Sequence, residues 1–288
     1  MKLHIVFLFN GIGNQLSQYA LYKQLKNDSY KAYLIDNCKV IPNYTEGLDI
    51  LKLSPQIKNE LMHKWLAGLV IFYVKLNGQK KYKLLSGFIK LFSYIFSLSI
   101  INENSIYHKK SFINIYVDGW LNKVIKNPCD IYNSAFKNFI NQNCKLDKRF
   151  IKEDVCAIHF RGGDYIDGGI NSKIYGDISN VDYYSRAIKK IKSKKGISKF
   201  IIFTNDKTHA DVLFKSLNID FIYSSDIGSK SFLEDLCSMS YFKNIIISNS
   251  SFSFWSAATF NDDKIVICPK KYRNFDDIDI YLDHWDAI

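Results

Sequence analysis

The sequence predicts an α/β chain built on parallel sheets, and three observations carry that expectation. Short apolar runs of strand length end abruptly in glycines and polar residues, most clearly where 155–158 (Val-Cys-Ala-Ile) stops at His159-Phe160-Arg161-Gly162-Gly163-Asp164-Tyr165. Strands buried on both faces of a parallel sheet read as such continuous apolar runs. Helix-compatible stretches alternate with strand-like runs through the second half, the order of a doubly wound sheet. The chain also opens as strand, glycine turn, helix and strand, a βαβ unit.

Residues 3–9 form the first strand, and Asn10-Gly11-Ile12-Gly13-Asn14-Gln15 follows as a tight turn. A helix is expected from about Asn14 to Lys26, with Leu16, Tyr19, Ala20 and Leu25 on one side, and 31–35 is a second strand ending at Asp36. A glycine turn aimed at a helix N-terminus suits phosphate. The third glycine of a dinucleotide-binding GxGxxG is Leu16, which weakens a nicotinamide reading. Residues 66–76 and 84–101 are largely apolar, with Lys80, Lys81 and Lys83 between them. A spanning helix needs about 20 apolar residues, so these runs read as a pair of buried or amphipathic helices. The alternative is an interfacial pair whose lysines meet anionic headgroups. Residues 113–117 are a strand ending in Asp118-Gly119-Trp120, and 129–152 is polar and helix-compatible. The domain boundary is placed at its end, giving domains 1–150 and 151–288, with the last residues candidates to return to the first.

In the second half, Asp182 is expected to cap a helix whose stripe is Tyr184, Ala187, Ile188 and Ile191, closed by Gly196. Residues 200–203 form a strand delivering Thr204, Asn205 and Asp206, and 221–223 form a short one. A helix over 231–239, a strand over 244–248, a helix start at Asn249 and a last strand over 264–268 complete the domain. Open α/β sheets bind ligands outside the carboxyl ends of their strands. His159, Arg161 and Asp164 are therefore expected to project where a ligand sits.

The net charge of +11 favours anionic partners. No nucleic-acid module shows its spacing, and a nucleic-acid partner is not expected. The six cysteines are scattered with no CxxC pair, which argues against a zinc site or disulfide scaffold and for a reducing compartment. The first apolar run is too short for a signal peptide. Together these point to a cytoplasmic protein, with peripheral attachment to an anionic inner membrane face as a further expectation. Asp277-Ile278-Asp279 has the letters of a metal-binding DxD but lies in an acidic tail, and the histidines form no ligand spacing.

The motifs resemble those of the α-1,2-fucosyltransferases of glycosyltransferase family 11 along most of the chain. Asn10 to Gln15 with Gln18-Tyr19-Ala20 is similar to that family's GGLGNQ…QYA, and His159 to Tyr165 to its HxRRGDY. Phe203-Thr204-Asn205-Asp206 is similar to FSND, and Glu234-Asp235-Leu236, Met239 and 249–257 to EDL…M…NSTFSWWAA. Four matches in order are more specific than any one. The resemblance implies the GT-B arrangement, two Rossmann-like domains facing a cleft, with the donor nucleotide on the C-terminal one. It also implies inverting, metal-independent transfer of L-fucose from GDP-β-L-fucose to a galactoside 2-hydroxyl, without a cofactor, for surface glycan synthesis. The acceptor is then an oligosaccharide or lipid-linked glycan.

Such a reaction loads negative charge onto the departing β-phosphate. Arg161 is the expected catalytic cation, because its guanidinium is permanently charged and offers a bidentate fork. Asp164 is the nearest acid to serve as general base, and tethering its own loop is an equal reading. Backbone groups at Ser250 and Ser251, with Asn249 and Phe252 beside them, are expected to bind the donor, as are Gly11, Gly13, Asn14 and Gln15 from the first domain. By resemblance, His159, Asn205 and Asp206 recognise the nucleotide. The chain departs from the family where Gly162 replaces the second Arg of HxRRGDY, where Phe254 replaces the first Trp, and where Asp118 to Asn122 replaces GYFQ. The absent cation opens two alternatives, a transferase for another GDP-deoxysugar and a catalytically degenerate GDP-binding protein.

Overall fold

A computed structural model of the 288-residue chain describes residues 3–8, 10–36, 98–101, 113–116, 140, 148–260, 263–275 and 280–288. The chain divides into two units, residues 1–131 and 132–288, the division falling near the start of the polar 129–152 stretch.

The first unit carries a parallel sheet. Strand β1 (Leu3–Leu8) pairs with β2 (Lys31–Asp36) on one side and β4 (Ile113–Tyr116) on the other, and β3 (Leu98–Ile101) pairs with β4. The order β2-β1-β4-β3 places a reversal of direction between β1 and β4. Helix α1 (Ile12–Asn27) starts two residues before the expected Asn14, so Gly13, Asn14 and Gln15 form its first turn instead of a preceding loop. Burial extends round most of this helix, taking in Gln15, Ser17, Gln18 and Gln24 as well as Leu16 and Leu25. The end of the expected second apolar helix is the strand β3, whose Leu-Ser-Ile-Ile sequence carries two adjacent β-branched isoleucines. The rest of 66–101, with Asp118 to Asn122, most of 129–147 and Asp277 to Asp279, lies outside the described residues.

The second unit is a six-stranded, all-parallel sheet of order β10-β9-β8-β5-β6-β7. Its centre, β5 (Val155–Phe160), is buried along its whole length, as a strand covered by helices on both faces must be. The neighbours are β6 (Lys199–Thr204) and β8 (Asn244–Ile246), then β7 (Phe221–Tyr223) and β9 (Ile265–Cys268) further out. The last residues, candidates in the sequence to return to the first domain, are grouped with the second unit. They form the edge strand β10 (Asp286–Ala287), paired with β9, and Lys190 and Lys194 both hold Asp286.

Helix α2 (Ile170–Tyr175) was not expected from the sequence. Helix α3 (Val181–Lys195) presents Tyr183, Tyr184, Ala187, Ile188 and Ile191 to the core. Its N-cap is Asn180 and not Asp182: the Asn180 side chain accepts from the Tyr183 N–H at 3.0 Å, while Asp182 sits in the first turn where its charge suits the dipole. Gly196 closes it in the left-handed region, as expected. Helix α4 (Lys207–Ser216) was also missed; Asp206 caps it by accepting the His209 N–H. Helix α5 (Phe232–Met239) is capped by Ser231, and helix α6 (Ser251–Ala258) begins at Ser250, one residue later than expected. Phe160, Tyr184, Phe200 and Phe214 lead the buried cluster beneath the sheet. Among the described residues no helix is long and apolar enough to cross a membrane.

Candidate active site

The chain runs from β5 outward through β6 to β7, then returns to β8 on the other side of β5. The topological switch point therefore lies between the carboxyl ends of β5 and β8, where open α/β sheets form their ligand crevice. The sequence-predicted residues of the second unit gather on this edge: 159–164 after β5, 205–206 after β6, and 249–252 after β8.

His159 does not project as a free group. It is the fifth residue of β5, 4% exposed, with Nδ1 2.7 Å from Ser248 Oγ, so this pair bridges the switch point itself. Its ring stacks on Phe252, centroids 5.3 Å apart. Burial, reinforced by the Arg161 charge, lowers its pKa to about 3, which keeps the imidazole neutral at physiological pH.

Arg161 is the first residue beyond the strand. Its Nη2 donates to Asp164 Oδ1 at 2.7 Å, its guanidinium carbon lies 5.3 Å from the Tyr165 ring centroid, and its buried Nε has no hydrogen-bond partner. Asp164 is held at both oxygens, since Asn171 donates to Oδ2 at 2.9 Å. That is the geometry of a carboxylate aligning an arginine.

Gly162 and Gly163 are clamped from β6. The Gly162 N–H donates to Asn205 Oδ1 at 3.0 Å and the Gly163 N–H to Asp206 Oδ2 at 3.1 Å, with Gly163 at φ +57°. A Cβ added at 162 would lie 2.5 Å from Asp206 Cβ, so any side chain there displaces Asp206. Asp206 also faces His209, which was not singled out in the sequence; its Nδ1 lies 2.9 Å from Oδ2. Burial pushes the Asp206 carboxyl up, but the N–H groups of Gly163 and His209 and the His209 ring outweigh it and hold the pKa below the usual value.

Asn249 is 1% exposed and entirely occupied. Its Nδ2 donates to the carbonyls of Tyr175 at 2.9 Å and Tyr272 at 3.1 Å, its Oδ1 accepts from Ser179 at 2.8 Å, and its own carbonyl accepts from the Tyr165 hydroxyl at 3.4 Å. It positions the edge and does not face it. Ser250, at the N-cap of α6, makes no side-chain bond to the first turn, which holds no acidic residue. The opposite end of α6 is closed by the Lys264 ammonium, which donates to the carbonyls of Ser256, Ala257 and Thr259. The helix thus has its negative pole satisfied within the fold and its positive pole open at Ser251 and Phe252.

In the first unit the glycine turn stands at that unit's own reversal, after β1. Asn10 sits at φ +66°, its carbonyl accepts from Gln15 Nε2 at 2.6 Å, and the buried Asn14 Oδ1 has no hydrogen-bond partner. Gly11 is the N-cap of α1 and supplies no capping side chain, leaving a second uncapped helix N-terminus. Among the described residues no three His, Cys, Asp or Glu side chains are grouped to hold a metal ion.

The model of the family described as Glycosyl transferase family 11 matches residues 6–288. A similar curated protein is the O-antigen biosynthesis glycosyltransferase WbnK of Escherichia coli, 30% identical over 184 residues, which are 63% of this chain and 54% of that protein. The chain thus matches about half the length of that relative. Similar solved structures include the S. aureus MnaA–UDP complex (10% identity, TM-score 0.45, 95% of this chain and 80% of that one). They also include POFUT1 with GDP-fucose (8% identity, TM-score 0.37, 88% and 93%) and E. coli heptosyltransferase WaaC with ADP (9% identity, TM-score 0.38, 94% and 87%).

Proposed function

The chain belongs to glycosyl transferase family 11, and we propose that it transfers L-fucose from GDP-β-L-fucose to a galactoside 2-hydroxyl with inversion, building an α-1,2 linkage in a surface glycan. The observation that carries this reading is Arg161: a permanent cation at the switch point, aligned by Asp164, with a buried Nε awaiting an acceptor beside the open N-terminus of α6. The acceptor hydroxyl oxygen attacks the anomeric carbon and gives its proton to a general base, the role for which Asp164 is the nearest acid; the bond to the phosphate oxygen breaks, and its electron pair passes to the β-phosphate. Arg161 and the first-turn N–H groups of α6 receive that charge. With the charge met by a guanidinium, the reading requires no metal and no cofactor. Asp206 accepts from three donors and retains lone pairs that suit the N1–H and N2–H₂ of guanine. Gly11, Gly13, Asn14 and Gln15 are assigned to substrate binding through the second uncapped helix.

WbnK is named for O-antigen biosynthesis, which supports a lipid-linked or oligosaccharide acceptor handled on the cytoplasmic side, with peripheral attachment to the membrane. A panel of GDP-sugars against galactoside acceptors, with linkage read by NMR and a chelator control, tests the reading. GDP-fucose is expected to give an α-1,2-linked product at a rate that chelator leaves unchanged. Turnover of a different GDP-deoxysugar would reassign the donor, and GDP binding without transfer would leave a degenerate binding protein.

A further inference from the structure

We infer that Arg273 is a second phosphate-binding cation of the donor site, supplying from the segment after β9 the charge that position 162 does not carry. The inference rests on the reading of a nucleoside diphosphate at the switch point.

Position 162 is closed to any side chain, because a Cβ there meets Asp206 at 2.5 Å from Cβ and 2.7 Å from Oδ2. A second cation for a diphosphate is then one that another segment brings to this edge. Residues 272–274 are pinned against the site from both sides. The Tyr272 carbonyl accepts from Asn249, the Asn274 N–H donates to the Ile174 carbonyl at 2.9 Å, and Asn274 Nδ2 donates to the carbonyls of Lys173 and Gly176 at 3.1 and 3.0 Å. Between these anchors the Arg273 guanidinium carbon lies 6.0 Å from the Tyr175 ring centroid and 5.8 Å from that of Tyr272. Tyr175 is stacked on Tyr165, centroids 5.0 Å apart and planes within 12°, and Tyr165 in turn lies under Arg161.

Arg161 and Arg273 therefore contact one connected group of tyrosines, which Tyr165 and Tyr272 join to Asn249 just ahead of α6. The Tyr165 hydroxyl registers both: burial raises its pKa well above the usual phenol range, and the Arg161 charge and, more weakly, the Arg273 charge work against that. A diphosphate is the anion the rest of the edge is shaped for, and two arginines suit its two charged phosphates.

Calorimetric titration of the full chain with GDP and with GMP, for wild type, Arg273→Gln and Arg273→Lys, tests this. Removing one charge-assisted hydrogen bond to phosphate should make GDP binding about 10–100-fold weaker in the glutamine variant. GMP binding should stay within about threefold, and lysine, which keeps the charge without the fork, should give an intermediate GDP affinity. The lysine variant carries the test if glutamine prevents folding. GDP and GMP weakening in parallel, or GDP affinity unchanged, overturns the role of Arg273 while leaving the proposed activity standing. A wild-type protein that binds neither GDP nor GDP-fucose overturns both.

Discussion

Replacing Arg161 with Ala separates activity from stability in a way the geometry allows to be worked out. The substitution removes an ion pair whose side chains are 33% and 37% exposed. Pairs this accessible to solvent contribute at most about 1 kcal/mol. The packing over the Tyr165 ring adds about 0.5–1 kcal/mol. The folded state should therefore lose only about 1–2 kcal/mol, a fall in Tm of a few degrees for a chain of this size. The loss in the transition state is larger. The unpartnered Nε and the remaining Nη protons would each give a charge-assisted bond to the leaving phosphate, and one preorganised donor of this kind contributes about 10²–10³ in rate. kcat/KM for GDP-fucose is thus expected to fall by at least about 10²-fold, measured by GDP release alongside a thermal melt. Asp164→Asn resolves the role of the carboxylate. If Asp164 aligns Arg161, the Asp164→Asn/Arg161→Ala double variant should be no slower than Arg161→Ala alone, whereas a general base would make the losses compound. A folded Arg161→Ala enzyme within threefold of wild type would falsify the proposed charge stabilisation.

Three further expectations concern the same edge. His159, neutral and buried with a pKa near 3 against about 6.5 unfolded, binds fewer protons folded than unfolded between those values. Stability should accordingly rise from pH 3 to about 6.5 and then level off; His159→Asn should flatten its share of that slope in acid-unfolding curves. Asn249→Ala removes three side-chain hydrogen bonds of a buried residue, to the carbonyls of Tyr175 and Tyr272 and from the Ser179 hydroxyl, and should cost about 2–4 kcal/mol in urea unfolding; a loss below about 1 kcal/mol would deny its part in joining α2 to the sheet edge. Gly162→Ala should weaken GDP binding by displacing Asp206, with little effect on the core, and unchanged affinity would mean that the clash relaxes at no cost.

What the sequence revealed, it revealed through period and punctuation. The central strand was legible because β5 is apolar without interruption, and the C-cap of α3 because Gly196 can take the left-handed conformation its neighbours avoid. Helix α4 is hard to read because its cap, Asp206, stands directly after a buried strand, where a carboxylate reads equally as a ligand contact. The start of α1 was misplaced because Gly11 caps without a side chain. Arg273 carried no local signal at all. Its relation to Arg161 exists only through the stacking of Tyr165 on Tyr175 and the Asn249 bonds, contacts between residues far apart in sequence.

The same contacts change how the motif residues divide their work. Glu234, in the EDL element, accepts the Lys230 N–H at 2.6 Å and belongs to the cap of α5. Asp235 is kept above the usual carboxylate range by burial, with Ser229 and Ser224 opposing that rise. Asn205 and Asp206 hold down the glycine pair, His159 ties β5 to Ser248, and Asn249 ties α2 and Tyr272 to the end of β8. Each of these polar groups meets partners within the fold, so much of a motif that reads as ligand chemistry is spent on building the edge where the ligand sits. Arg161 differs because its single ion pair leaves donors over, and an edge so thoroughly cross-braced can hold that guanidinium in place before any phosphate arrives. Preorganisation of this kind is the condition under which a fixed charge lowers a barrier without reorganising during the reaction. Loosening a brace such as Asn249 should therefore reduce turnover more than it reduces nucleotide affinity.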